Sequence, residues 1–151
     1  SYRSNGTDRM SLRVKAGGSL FPTTQETLDQ GWHNIYQDGK TVFKYAISEM
    51  SKATKEIMKR NGLDGENLNY FVPHQANKRI IDSVASRCNL TKDKVLVNIA
   101  KYGNTTAGTI PLGLSEAVDD GRLEDGDVLL LAAFGAGFTW GSMLIKWHPN
   151  P

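Results

Sequence analysis

Apolar residues recur at regular spacings along the chain, and the spacing predicts which segments are helices. Over residues 41–60 they recur every three or four positions, which predicts a long amphipathic helix that ends at Asn61-Gly62. The same spacing predicts a second helix over residues 78–87 and a third after Gly108, with Pro111 in its first turn. The positions that carry the pattern are Phe43, Ile47, Met50, Thr54, Ile57, Ile81, Val84, Ala85, Cys88, Leu112, Leu114, Ala117 and Val118.

Short apolar runs between these helices predict strands. Residues 68–72, 95–99 and 128–134 are three such runs, and residues 12–14 are a shorter candidate within an N-terminal stretch of loops. A glycine-containing corner joins the third run to a last one over residues 140–147, which predicts an antiparallel C-terminal hairpin. Because helices join the earlier strands, we expect an α/β fold with a mixed sheet, parallel central strands and crossover helices.

Composition narrows the class of protein. The 151 residues are 39% hydrophobic and 23% charged, which suits one globular domain and excludes a disordered chain. The single cysteine excludes a disulfide scaffold, and a net charge of +2 gives no argument for nucleic acid. No apolar run approaches the roughly 20 residues that cross a bilayer, and no signal-peptide pattern opens the chain. We therefore expect no membrane contact and a cytoplasmic location, and the first residue, Ser1, is compatible with a piece of a longer protein.

Two polar loops occupy equivalent places after predicted strands. The loop with His74 follows strand 68–72, and the loop with Asn104 follows strand 95–99. In parallel α/β sheets, ligands bind outside the carboxyl ends of the strands, and consecutive strands are commonly neighbours. We therefore expect the imidazole of His74 and the carboxamide of Asn104 to lie in one cleft.

These two side chains suit the stabilisation of a negatively charged oxygen. His74 lies near the predicted start of a helix, whose positive field disfavours the imidazolium, and a neutral imidazole still donates one hydrogen bond. The Asn104 amide offers two further donors. Donors aimed at one point fit an oxyanion or enolate better than a metal ion, so no metal site is predicted. In the competing interpretation, His74 merely caps the following helix and Asn104 fills a turn.

Other candidate groups are not expected to take part in chemistry. Cys88 is 14 residues beyond His74 at the far end of the intervening helix, about 20 Å away, on the buried face where thiols are inert. The Gly135-Ala136-Gly137 corner leads into a strand rather than a helix, which argues against a dinucleotide-binding loop. Predicted surface positions are His33, His148 and the acidic residues 116–127.

Four motifs follow one another along nearly the whole chain. They are Asp38-Gly39-Lys40-Thr41-Val42-Phe43-Lys44, Val72-Pro73-His74-Gln75-Ala76-Asn77-Lys78-Arg79, Tyr102-Gly103-Asn104-Thr105-Thr106-Ala107 and Phe134-Gly135-Ala136-Gly137-Phe138-Thr139-Trp140-Gly141. In order and spacing they resemble β-ketoacyl-acyl carrier protein synthase III.

The resemblance implies a thiolase-like fold of two similar α/β halves, of which residues 1–151 match the C-terminal half as a single domain. It implies an acyltransferase that condenses an acyl-coenzyme A primer with malonyl-acyl carrier protein and so initiates type II fatty acid synthesis. The family's nucleophilic cysteine lies in the N-terminal half and no position here matches it, so the isolated chain is expected to be inactive. Coenzyme A thioester and acyl carrier protein are implied as substrates, no other cofactor is implied, and the intact enzyme is expected to be a homodimer.

The resemblance also assigns roles to individual positions. His74 and Asn104 match the two members of the catalytic triad other than the cysteine, and the Ala136 backbone N–H matches part of the acyl oxyanion hole. Alanine stands where many relatives have glycine, so this role requires that Ala136 does not adopt a left-handed conformation. Positions matching the coenzyme A channel are Gly39, Phe43, Asn77 and Phe134, and positions matching the carrier-protein docking surface are Lys44, Arg79 and Arg87.

Two alternatives stay open on sequence alone. Another thiolase-fold condensing enzyme, of polyketide or quinolone type, would use the same His74 and Asn104. The chain could instead be a non-catalytic module that binds carrier protein or acyl-coenzyme A. The basic outer face of helix 41–60 fits carrier-protein docking, but a merely solvated face explains it as well.

Overall fold

The computed structural model describes residues 1–148. That part of the chain contains six strands, five helices and two short 3₁₀ turns, at Lys92–Lys94 and Thr106–Gly108. In chain order the elements are β1 (Tyr2–Ser4), β2 (Leu12–Val14), α1 (Gln25–Asp29), β3 (Ile35–Gln37), α2 (Gly39–Arg60), β4 (Tyr70–Pro73), α3 (Lys78–Arg87), α4 (Ile99–Tyr102), α5 (Thr109–Asp119), β5 (Val128–Gly135) and β6 (Thr139–Lys146).

The three helices predicted from apolar spacing are confirmed. Polar side chains fix where two of them start: Asp38 accepts hydrogen bonds from the first turn of α2, and Asn77 accepts one from the backbone N–H of Arg79 in α3. Pro111 lies in the first turn of α5, where its missing N–H leaves no helical bond unmade. The short helices α1 and α4 were not expected from the pattern.

The predicted mixed sheet and C-terminal hairpin are also confirmed. One sheet has the strand order β1-β6-β5-β4, in which β4 and β5 are parallel and the other pairs are antiparallel. In the hairpin, Phe134 of β5 lies opposite Trp140 of β6. The predicted strand at residues 12–14 is present, paired with β3 in a separate two-stranded sheet.

The strand predicted over residues 95–99 is wrong apart from its first residue. Val95 makes one parallel bridge with Phe71, and the backbone N–H of Leu96 donates to Phe71 O at 2.9 Å. The next bond of a parallel ladder would come from the N–H of residue 73, which is a proline and has none. The chain therefore leaves the sheet after Leu96 and turns into α4.

The sheet separates two hydrophobic clusters because alternate strand residues point to opposite faces. Phe71 and Leu130 pack on one side with α2 and α3, where the buried Cys88 also lies. Val72 and Leu129 pack on the other side with residues of α5 such as Ala117. None of the helices within residues 1–148 combines the length and the apolar character needed to cross a membrane.

Candidate active site

A cavity of about 1180 Å³ lies beside the carboxyl ends of β4 and β5. His74 lines it from the loop after β4, and Asn104 lines it from the loop after α4. Phe134 and Ala136, at the end of β5, complete this part of the wall. The structure therefore brings the two predicted donor side chains to one cavity, at the sheet edge where the strand order places ligands.

The buried side chain of Gln75 joins the His74 loop to the segment just before α4. Its amide nitrogen donates to Pro73 O at 2.8 Å and to Leu96 O at 3.1 Å, and its amide oxygen accepts from the backbone N–H of Asn98 at 3.1 Å. Gln75 is only 2% exposed, so these bonds lie where water cannot replace them. The glutamine thus supplies the hydrogen bond to Leu96 O that Pro73 cannot make, and it fixes the path of the chain toward Asn104.

His74 is half-buried and is held on both its backbone and its ring. Its backbone N–H donates to Ala132 O at 2.8 Å, which extends the pairing of β4 and β5 by one bond. Its Nδ1 lies 2.6 Å from the hydroxyl oxygen of Thr109, the first residue of α5. Burial lowers the pKa of the His74 imidazole, because the charged form loses hydration. The ring is therefore neutral at physiological pH, as predicted, and the cause is burial.

The helix after His74 is capped by Asn77, which excludes the interpretation that His74 serves as that cap. Asn77 is exposed and also lines the cavity, and its role in a coenzyme A channel stays a prediction.

The side chain of Asn104 is oriented by its own loop. Its Oδ1 accepts a hydrogen bond from the backbone N–H of Thr106 at 2.9 Å. This bond uses the carbonyl end of the amide, and Nδ2 makes no hydrogen bond within residues 1–148, so its two N–H groups remain available to donate. The bond to Thr106 thus confirms that Asn104 fills a turn. Thr106 makes it from a left-handed conformation with φ of 53°, which is unusual for a β-branched residue.

A group of polar side chains around Glu116 holds α4 against α5. The Glu116 carboxylate accepts hydrogen bonds from Lys101 at 2.7 Å, Asn98 at 2.8 Å and Tyr102 at 3.0 Å. Led by the Lys101 bond, these contacts lower the pKa of the Glu116 carboxyl to about 2. Glu116 was expected to be part of a solvated acidic stretch, and it is instead a contact that positions the residues just before Asn104.

The backbone of the glycine-containing corner after β5 leaves Ala136 outside the left-handed region. The non-glycine residues with positive φ in the described part of the chain are Asn89 and Thr106, so Ala136 is not left-handed. The demanding conformation falls on Gly137, whose φ is 138° and where an added Cβ would meet Thr139 Cγ2 at 2.8 Å. Ala136 therefore meets the requirement that it does not adopt a left-handed conformation.

The other positions implied by the resemblance lie on α2 and α3 and do not line the cavity. Gly39 is the exposed first residue of α2. The Arg79 guanidinium lies over the ring of Phe43, 4.9 Å from its centroid, and so ties the start of α3 to α2. Lys44 and Arg87 are exposed, and neither they nor Arg79 make an ion pair within residues 1–148.

The remaining candidates lie away from this cavity. Cys88 is buried beside α2, where its thiol lies 3.8 Å from Ser51 O, and burial raises its pKa to about 11. His33 is exposed, and His148 contacts Asp125 at the surface. Within residues 1–148 no three ligand-type side chains are grouped in a way that could hold a metal ion.

Two residues that organise the site were not found from the sequence. Gln75 belongs to one of the four motifs, but no role was predicted for it. The available signal was Pro73, two residues earlier, which cannot donate to a neighbouring strand and so leaves a carbonyl without its backbone partner. Thr109 lies in the first turn of α5, five residues after Asn104, and nothing in the apolar spacing distinguishes it from a solvent-exposed threonine.

Comparison with known proteins bears on the family. Residues 58–147 match the family model for the C-terminal part of 3-oxoacyl-[acyl-carrier-protein] synthase III. This chain belongs to the synthase III family. The family predicted from the four motifs is therefore confirmed, and so is the thiolase-like fold that it implied.

Individual members of the synthase III family resemble the chain over nearly its whole length. A β-ketoacyl-[acyl-carrier-protein] synthase III of Chlorobium luteolum is 52% identical over 144 residues, which cover 95% of this chain and 43% of the relative. The synthase III structure from Thermus thermophilus has a TM-score of 0.84 at 38% identity and matches 98% of this chain and 45% of its own. The structure from Pseudomonas aeruginosa has a TM-score of 0.85 at 35% identity and matches 97% of this chain and 44% of its own. The chain thus spans less than half the length of these relatives.

Replacement of Gln75 tests the connection between the His74 loop and residues 96–98. We expect Gln75→Met to lower the free energy of unfolding by about 2–4 kcal/mol, because Leu96 O and the Asn98 N–H lose their buried partner while the volume is kept. The measurement is the denaturant midpoint of the two proteins under identical conditions.

The matched control is Gln25→Met on α1, where an exposed glutamine bonds only to Asp29. This variant should lie within about 0.5 kcal/mol of the parent. Equal effects of the two substitutions would show that the Gln75 bonds do not hold the loops.

The lowered pKa of Glu116 predicts that the stability of the fold depends on pH in the acid range. A carboxyl whose pKa is lower in the folded than in the unfolded state stabilises the fold above its ordinary value of 4.5 and loses that contribution as the pH falls toward 2. We expect Glu116→Gln to lower the thermal midpoint near neutral pH and to flatten its decline between these two values.

The control is Glu66→Gln, since the Glu66 side chain makes no hydrogen bond or ion pair within the described residues. A Glu116→Gln variant whose thermal midpoint follows the parent curve at every pH would contradict the role of this contact.

Proposed function

We propose that this chain forms the enolate-stabilising part of a β-ketoacyl-acyl carrier protein synthase III, an acyltransferase that initiates type II fatty acid synthesis. The observation that carries the proposal is the pair of oriented donors. His74 and Asn104 line one cavity, and the buried Gln75 ties the His74 loop to the segment that leads through α4 to Asn104. Membership in the synthase III family supports the choice of substrate, an acyl-coenzyme A primer and malonyl-acyl carrier protein.

The chemistry of decarboxylation needs such a pair. When the bond between the malonyl Cα and its carboxylate breaks, carbon dioxide leaves and the electron pair moves onto the thioester as an enolate. The negative charge then lies on the thioester oxygen, where N–H donors from His74 and Asn104 stabilise it. The burial that keeps His74 neutral also suits it to hold this oxygen without protonating it. The enolate carbon then attacks the carbonyl carbon of the acyl thioester on the nucleophilic cysteine. The new carbon–carbon bond forms, the bond between the acyl carbon and the cysteine sulfur breaks, and the thiolate leaves.

The nucleophile is proposed to come from residues outside this sequence. Cys88 does not suit the task, because it is buried away from the cavity and its pKa is raised to about 11, which disfavours the thiolate. The chain also spans less than half of its synthase III relatives. We therefore propose that residues 1–151 are a C-terminal half-domain that is inactive without the half that bears the cysteine.

The rim of the site is proposed to bind the two substrates. Ala136 would place its backbone N–H at the acyl oxyanion, and the channel would be lined by Gly39, Phe43, Asn77 and Phe134. An acidic carrier protein would dock on Lys44, Arg79 and Arg87, whose cationic groups have no carboxylate partner within residues 1–148. The homodimer and the cytoplasmic location implied by the family stay predictions.

The test is to remove each donor in the intact protein. We expect His74→Ala and Asn104→Ala each to slow the decarboxylation of malonyl-acyl carrier protein by about 10²–10³-fold, because one donor to the enolate is lost. Transfer of a labelled acyl group from coenzyme A to the nucleophilic cysteine should be spared. Carbon dioxide release and protein-bound label measure the two steps separately.

The control is His33→Ala, which removes an exposed imidazole and should leave both steps unchanged. Unimpaired decarboxylation in both donor variants would overturn the proposed function.

A further inference from the structure

Thr109 is the one side chain that contacts the ring of His74 by a hydrogen bond within residues 1–148. Its hydroxyl oxygen lies 2.6 Å from His74 Nδ1. The residue is only 2% exposed, so no solvent competes for this contact. Whatever the Thr109 hydroxyl does with its single proton therefore decides which nitrogen of a neutral His74 carries the ring proton.

The hydroxyl has two acceptors within reach. One is His74 Nδ1, and the other is the carbonyl oxygen of Thr106 at 3.1 Å. The Thr106 carbonyl already accepts the backbone N–H of Thr109, so it does not depend on the hydroxyl for a partner. The imidazole nitrogen is closer, is the stronger base, and has no other partner within the described residues.

We propose that Thr109 is a positioning residue whose hydroxyl donates to His74 Nδ1 and thereby keeps the ring proton on Nε2. The inference rests on the proposed function, because it is Nε2–H that then donates to the enolate oxygen. If the hydroxyl instead donated to Thr106 O, Nδ1 would carry the proton and the neutral ring could only accept a bond at Nε2. The hydroxyl thus selects between a donor and an acceptor at the reacting end of the ring.

Thr106 connects this arrangement to the second donor. Its N–H orients Asn104 through Oδ1, and its carbonyl accepts the N–H of Thr109. Its left-handed φ of 53° is a conformation that costs on the order of 1–3 kcal/mol and persists when surrounding contacts hold it. One strained residue therefore sets both the orientation of Asn104 and the position of Thr109.

The direct test is the tautomer of His74 in the intact protein. With ¹⁵N-labelled histidine, at about pH 8 where a ring of lowered pKa is neutral, ¹⁵N chemical shifts distinguish the protonated ring nitrogen from the unprotonated one. The His74 signals are assigned by their loss in His74→Ala. We expect the proton on Nε2 and a hydrogen-bonded, unprotonated Nδ1. A proton on Nδ1 would overturn the inference.

A matched pair of variants tests the consequence for the reaction. Thr109→Val keeps the shape and removes the hydroxyl, whereas Thr109→Ser keeps the hydroxyl. We expect Thr109→Val to lower kcat for malonyl decarboxylation by about 10- to 100-fold with little change in KM, and Thr109→Ser to stay within about threefold of the parent. In Thr109→Val the Nδ1 signal should also move to that of a nitrogen without a hydrogen-bond donor.

The outcomes separate this inference from the proposed function. Equal kcat in parent and Thr109→Val, with both folded by circular dichroism, would overturn the positioning role. If Thr109→Val fails to fold, the tautomer in the parent and the activity of Thr109→Ser decide. If the intact parent protein does not decarboxylate malonyl-acyl carrier protein at all, the proposed function fails, while the tautomer still shows where the Thr109 proton lies.

Discussion

The site depends on one backbone hydrogen bond that Pro73 cannot donate and that the side chain of Gln75 supplies instead. Pro73 ends the parallel ladder on one side of β4, and Gln75 reaches back to supply the missing bond to Leu96 O. The oxygen of the same amide accepts a hydrogen bond from the Asn98 N–H, so one buried side chain bonds to the backbone where strand pairing ends. Because the chain is released from the sheet at this point, it turns into α4 and brings Asn104 to the cavity that His74 lines. The end of strand pairing after Leu96 thus allows the chain to turn toward the cavity, and the hydrogen bonds of Gln75 hold the backbone at that point.

Each donor is held by groups that also limit what it can do. Asn104 has its Oδ1 occupied by the Thr106 N–H and His74 has its Nδ1 occupied by Thr109, so Asn104 Nδ2 and His74 Nε2 are the polar atoms that remain available. Burial keeps the imidazole neutral, which favours hydrogen bonding to an enolate over proton transfer to it. Lys44, Arg79 and Arg87 do not line the cavity, so the proposed docking surface and the proposed catalytic donors are different residues.

Much of this fold could be predicted from the sequence because the helices are amphipathic and capped. The bounds of α3 and the pairing of β5 with β6 follow from apolar spacing and a glycine corner. Residues 95–99 could not be assigned in this way, since a β-branched run satisfies the strand pattern whether or not its backbone finds a partner, and Val97 proves to be 39% exposed. His74 follows β4 as predicted, whereas Asn104 reaches the cavity from the loop after α4 and not from the end of a strand. The contributions of Gln75 and Thr109 were not predicted. A polar side chain that bonds to backbone within a loop has no periodicity, so only the structure shows it.

The central claim is that His74 and Asn104 act together on one oxygen. The most direct measurement is the decarboxylation rate of the double variant His74→Ala/Asn104→Ala in the intact enzyme, compared with the two single variants. Residues that act as a unit have strongly non-additive effects, so we predict that the double variant is about as slow as the slower single variant. A rate reduced by the product of the two single effects would show that the two side chains act independently, and it would contradict this account.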